Sequence, residues 1–151
     1  MGIARRLAAE GASMLVAEYN EASCKATAEE LRRNLGVRAE VLQVDVCDKT
    51  QGLAMVAEAV RVFGSVDVLV NNAWASRRGS AHFMLEETKT DEDLDHAFRI
   101  GYMAAFWAIQ AAFPYMKEKR WGASSTSHPS MESTPIPTRW TTTRPRKPCG
   151  P

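Results

Sequence analysis

The chain has 151 residues, 45% hydrophobic and 25% charged, with a formal net charge of +1, which allows one domain with its own core and points to no acidic partner. The average conceals a split, with a net charge of −3 through Lys119 and +4 from Arg120 onward. Cys24, Cys47 and Cys149 are odd in number and widely spaced, which suggests neither a disulfide framework nor a metal site and fits a reducing, cytoplasmic setting.

Residues 2–10 read as a helix with Ile3, Leu7 and Ala8 on one stripe, stopped at Gly11. Residues 13–17 form a short strand ending at Glu18. Asn20 caps a helix over 21–35 whose apolar stripe carries Ala26 and Leu31. The next strand, 40–46, places Val41, Leu42, Val44 and Val46 inside, with Asp45 near its end. Asp48 and Gln51 have capping-box spacing and open a helix to Phe63, through Leu53, Val56, Val60 and Val62, with Gly64 as its stop.

Residues 66–73, Val-Asp-Val-Leu-Val-Asn-Asn-Ala, are an apolar run that ends at two side-chain amides. Such a run suits a strand buried on both faces of a parallel sheet, whose ligands lie at the strands' carboxyl ends. Taken alone, the paired asparagines also fit a polar turn. A polar loop with Arg77, Arg78 and Gly79 follows. Thr90, ahead of Asp91, Glu92 and Asp93, then starts a long helix to Lys119. Strands alternating with helices of this length mean βαβ units and an α/β, doubly wound parallel sheet. Arg5 and Arg6 precede no apolar core of signal-peptide length. The apolar run 100–116 is interrupted by Gln110 and Pro114 and falls short of the roughly 20 residues of a membrane span, so no membrane partner is expected.

The block at 66–73 resembles the Asn-Asn-Ala-Gly signature of the classical short-chain dehydrogenase/reductase family, and residues 2–122 keep that family's order of elements. The resemblance implies a Rossmann-like fold and hydride transfer between a nicotinamide cofactor and a small-molecule alcohol or ketone, in a cytoplasmic homo-oligomer. It matches Glu18 to the acid that holds the adenosine ribose and repels a 2′-phosphate, hence NAD rather than NADP. It matches Asp45 and Val46 to the pair at the adenine ring, and Asn72 with Ala73 to the wall of the cofactor ribose. Two residues depart from the pattern. Trp74 stands where the family has glycine, and Gly101 where it commonly has a catalytic asparagine, which puts the water-relay role of that asparagine in doubt.

The family's glycine-rich phosphate turn, whose N–H groups at a helix N-terminus hold the pyrophosphate, would precede Met1. The first strand is therefore expected to be absent and the chain truncated at its N-terminus. The family's Ser and Tyr-x-x-x-Lys do not follow Lys119 in this frame, so no catalytic residue is assigned. Of residues 122–151, 11 are Ser or Thr and 6 are Pro, with no Leu, Val, Phe or Tyr. As written, that segment reads as a disordered basic tail.

Reading each codon of the tail as a third base followed by the next two gives another result. Trp121 with Gly122 must yield Gly, Met131 with Glu132 Gly, and Trp140 with Thr141 Asp. Permitted wobble bases then allow a strand, a Ser spanning His128 and Pro129, a Tyr spanning Thr141 and Thr142, and a Lys spanning Pro145 and Arg146. A one-base deletion near the Gly122 codon is the expectation that follows.

The domain expectation is thus a partial NAD-binding Rossmann domain over 1–121 and an out-of-frame tail over 122–151, in an incomplete sheet with the first strand absent and the fifth lost. The resemblance implies strand order 3-2-1-4-5, so the strand at 66–70 would lose both neighbours. The isolated chain is then expected to be unfolded, molten or aggregating and inactive. An alternative is a non-catalytic fragment that docks on an intact relative through the long helix, which matches the family's subunit-contact helix. Arg139, Arg144, Arg146 and Lys147, mixed with Pro and Ser, read as a solvated tail rather than a nucleic-acid arm. His82, His96 and His128 have no metal spacing.

Overall fold

The computed structural model describes residues 2–74 and 90–127. The loop with Arg77, Arg78 and Gly79, His82, and residues 128–151, with His128, Arg139, Arg144, Arg146 and Lys147, lie outside the described residues. In chain order the elements are α1 (Gly2–Ala9), β1 (Met14–Glu18), α2 (Glu21–Leu35), β2 (Ala39–Gln43), α3 (Lys49–Phe63), β3 (Val68–Asn71), α4 (Asp91–Phe98), a π-turn (Arg99–Met103), α5 (Ala104–Lys119) and β4 (Ala123–Thr126).

The helix ends follow from local chemistry. Asn20 accepts from the Ser23 N–H, and Asp48 accepts from Thr50 and Gln51. Thr90 and Asp93 close a full capping box over an acidic first turn. Gly11 and Gly64, the sequence's two helix stops, have φ of 87° and 82°, a left-handed conformation that favours glycine. The long helix at 90–119 continues through Pro114 but is broken in register by the π-turn, which nothing in its apolar spacing announces.

The strands form two parallel pairs. β1 pairs with β2 from Met14–Ala39 to Glu18–Gln43, and β3 with β4 from Val68–Ala123 to Asn71–Thr126. Among the described residues the two pairs share no strand ladder. Each pair has its own apolar cluster. Ala8, Ala28, Leu31 and Ala39 are buried together, with Met14 and Val16 against them; Val56, Val66, Leu69, Ala108 and Ala112 form the other. Each parallel pair brings its own two carboxyl ends to the same side.

This is a Rossmann-like, doubly wound α/β fold with an incomplete sheet. The expected loss of the fifth strand is corrected: β4, from the segment read as a tail, is hydrogen-bonded to β3. The Ala123 N–H donates to the Asp67 carbonyl at 3.0 Å and the Ser127 N–H to the Asn71 carbonyl at 2.9 Å. Strand pairing uses main-chain groups, so Ala-Ser-Ser-Thr supports it without the apolar residues of a core strand. Gly122 brings the chain from α5 into β4 where a Cβ would collide with the Met116 side chain.

Burial of the central strand on both faces holds only in part. Leu69 is 8% exposed beneath α5, whereas Val68, on the other face, is 41% exposed. The reason is that α1 and α2 pack on β1 and β2 rather than over β3. Val41, expected inside, is 36% exposed within β2, whereas Val44, just beyond Gln43, is buried.

Leu31 is 1% exposed in the α1–α2 cluster, so if the chain unfolds cooperatively, which would itself overturn the expectation of an unfolded or molten chain, Leu31→Ala is expected to cost about 2–5 kcal/mol in chemical denaturation. The Thr50 and Gln51 N–H groups hold the Asp48 carboxyl below its ordinary value. Its stabilisation is therefore present above the usual carboxylate range and lost as pH falls through the lowered folded value. Thermal unfolding of Asp48→Asn is expected to show less acid destabilisation than that of the original chain.

Candidate functional site

Within each parallel pair the two carboxyl ends lie together, and the sequence-derived site residues stand at those two pairs of ends. Glu18 is the last residue of β1, exposed, with Oε1 accepting from the Tyr19 N–H at 3.1 Å. Its carbonyl accepts from the Val44 N–H at 3.1 Å, and the Gln43 amide donates to the Tyr19 carbonyl at 3.2 Å. These bonds hold the ends of β1 and β2 side by side, with Asp45 and Val46 immediately beyond. Asp45 is pinned at both ends: its N–H donates to Gln51 Oε1 at 3.0 Å and its Oδ1 accepts from the Cys47 N–H at 2.9 Å. Val46 is half-buried at the start of the turn into α3.

Asn72 and Ala73 are exposed beyond β3. Ser127 Oγ donates to Asn72 Oδ1, so the first residue after β4 fixes the amide after β3. The neighbouring Asn71 Nδ2 is buried with no hydrogen-bond partner among the described residues, a donor left over at this strand end. Glu18, Asp45 and Val46 thus form one group and Asn72, Ala73 and Ser127 another, on strand pairs joined by crossovers rather than by hydrogen bonds. Ser127 was missed because its segment reads as low-complexity tail. Its only signal was its position a few residues past α5, where the next parallel strand would end.

The two described cysteines are not activated. Burial pushes the Cys24 thiol up, and its Sγ donates to the Val16 carbonyl at 2.9 Å beneath β1. Burial first and the Asp45 carboxylate second push the Cys47 thiol up. Both are poor nucleophiles at neutral pH. Among the described residues no group of acids, histidines and cysteines could hold a metal ion, and no helix is long and apolar enough to cross a membrane.

The family model for short chain dehydrogenase matches residues 1–124. The chain belongs to the short-chain dehydrogenase family. Among curated relatives it is 36% identical over 121 residues to a 12alpha-hydroxysteroid dehydrogenase of Clostridium sp., covering 78% of this chain and 45% of that protein. It is 34% identical over 122 residues to a D-beta-hydroxybutyrate dehydrogenase of Cupriavidus necator, covering 81% and 45%. The chain therefore spans less than half the length of these relatives. Among solved structures, NAD+-bound xylitol dehydrogenase superposes with a TM-score of 0.71 at 26% identity, covering 80% of this chain and 45% of that one. L-Sorbose reductase of Gluconobacter frateurii with NADPH and L-sorbose gives 0.72 at 28%, covering 81% and 44%. The cofactors bound in those two structures, NAD+ and NADPH, differ in the 2′-phosphate.

The side chains present fit a dinucleotide at two places and not at a third. An exposed acid at the end of β1 suits ribose hydroxyls, and an amide at the end of β3 suits a second ribose. No glycine turn that could cradle a pyrophosphate stands among the described residues.

Burial first and the Asp45 carboxylate second push the Cys47 thiol up, so alkylation of Cys47 by iodoacetamide at pH 8 is expected to quicken in Asp45→Asn, which removes the second cause. Peptide mass spectrometry separates Cys47 from the buried Cys24.

Proposed function

We propose that this chain is the dinucleotide-binding portion of an NAD-dependent short-chain oxidoreductase, acting in the cytoplasm on a small-molecule alcohol or ketone, and that as written it is inactive. The observation that carries the NAD reading is the exposed carboxylate of Glu18 at the end of β1. There it would accept from ribose hydroxyls and repel a 2′-phosphate. Asp45 and Val46 would border the adenine, and Asn72 with Ala73 the second ribose. A bound nicotinamide would supply the hydride step. In the parent enzyme the residues of this chain would line and orient the cofactor; in the frame as written no Tyr-x-x-x-Lys stands between α5 and Pro151 to move a proton at the substrate oxygen.

The inactivity reading is tied to the frame. The family match ends at residue 124, within β4 and close to the Gly122 codon where the shifted reading begins. With wobble bases chosen to permit it, the shifted reading is compatible with a strand over the same positions and with a parent enzyme whose serine, tyrosine and lysine lie in the alternative frame.

A second reading, docking on an intact relative, is favoured by one surface. Leu94, Phe98, Tyr102 and Phe106 recur every four residues and are 47–60% exposed, with Phe98 and Tyr102 stacked at 5.2 Å and Tyr102 and Phe106 at 6.5 Å. Exposed aromatics in such a row suit a protein partner.

A calorimetric titration with NAD to millimolar concentration is expected to give no saturable isotherm, and a clear one would show that the glycine turn is dispensable. Re-sequencing the gene across codons 118–124 is expected to recover the missing base; a transcript reading as written would overturn the frame proposal. Co-purification with a full-length relative, lost in Phe98→Asp/Tyr102→Asp, is the expected outcome of the docking reading.

A further inference from the structure

Gly101 is at the centre of the π-turn, inside a continuous helical run, where glycine is unfavourable because it orders a flexible backbone without adding side-chain contacts. No backbone requirement explains it. The described glycines with positive φ are Gly11, Gly36 and Gly64, and Gly101 is not among them. What stands over it is an indole. A Cβ at Gly101 would lie 3.2 Å from Cζ3 and 3.8 Å from Cε3 of Trp74. The first distance is tighter than ordinary carbon contact. An asparagine there would send three further heavy atoms beyond that Cβ.

We propose that Trp74 and Gly101 are one interlocked packing unit, the indole seated on the bare backbone of the π-turn so that position 101 does not take the asparagine usual in the family while the indole keeps its place. Trp74 follows the Asn72-Ala73 pair at the carboxyl end of β3, and Gly101 lies between α4 and α5. The contact therefore ties the cofactor-side strand end to the long helix. It also puts a half-buried apolar ring where a polar side chain at position 101 would stand. A π-turn suits such a seat, because its extra residue widens the helix locally.

The chemical consequence rests on the oxidoreductase reading. In a chain whose serine, tyrosine and lysine are restored, a polar relay at position 101 would need Gly101→Asn together with a displaced or smaller side chain at position 74. The interlock itself is tested on the full chain without reference to activity.

Thermal unfolding is compared for Trp74→Gly, Gly101→Asn and the double variant. Each single substitution is expected to lower Tm, the first through lost packing and the second through collision, while the double variant unfolds at a higher temperature than Gly101→Asn alone. Additive losses, or no loss in Gly101→Asn, would overturn the interlock.

Should Gly101→Asn fail to fold, the milder Gly101→Ala is read by fluorine NMR of chain labelled with 5-fluorotryptophan, which carries four tryptophans. The resonance identified as Trp74 by its loss in Trp74→Gly is expected to shift in Gly101→Ala while the other three stay. An unmoved Trp74 resonance would overturn the proposal. Neither readout depends on cofactor binding, so the interlock can fail while the functional reading stands, and the reverse.

Discussion

A parallel pair of strands can be closed only by a crossover that carries the chain back to the starting end of the sheet, and that requirement organises this molecule. Each crossover is a helix, each helix must bury a stripe, and the right-handed sense decides which side of the previous strand the next one joins. Since β1–β2 and β3–β4 each run parallel, the chain leaves both strands of a pair at the same end of that pair. Glu18, Asp45 and Asn72 meet the solvent there because the strands end there, not because they contact one another.

The same requirement explains why the interior is divided. α1 and α2 serve the first strand pair and α3 and α5 the second, so the two clusters have no buried residue in common. Val68, on the β3 face away from α5, is left with water where a fully covered sheet would give it a helix. The ion pairs do little to unite the halves. Lys119 reaches Asp67 at 2.9 Å and Arg5 reaches Glu30 at 2.5 Å, but each works within its own half and is exposed enough that solvent weakens it. Strand-end hydrogen bonds matter more for the site, because Ser127 and Gln51 fix the groups that would face a ligand.

Trp74 and Gly101 show how two departures from a family pattern become one. In sequence they stand 27 residues apart and look like separate losses, one of a tight glycine turn and the other of a polar side chain. In space the larger residue fills what the smaller one vacates, and the π-turn beneath them supplies the room.

Much of this was legible from the chain alone, because local causes leave local marks. Asn20, Asp48 and Thr90 are caps by chemistry, Gly11 and Gly64 are stops by conformation, and the apolar run ending at Asn71 and Asn72 marks a strand end. The family followed from the same residues. What pattern could not supply were facts about partners. β4 forms from small polar residues because main-chain groups pair regardless of side chain, so a segment whose composition resembles a tail still completes a ladder with β3. Asn72 owes its fixed amide to Ser127, 55 residues on, and Gly101 owes its fitness to an indole placed there by the turn after β3. Periodicity and capping act within a few residues, and the sequence determined them. Pairing, steric exchange and uneven burial act between segments brought together only by folding, so the tertiary structure decided those.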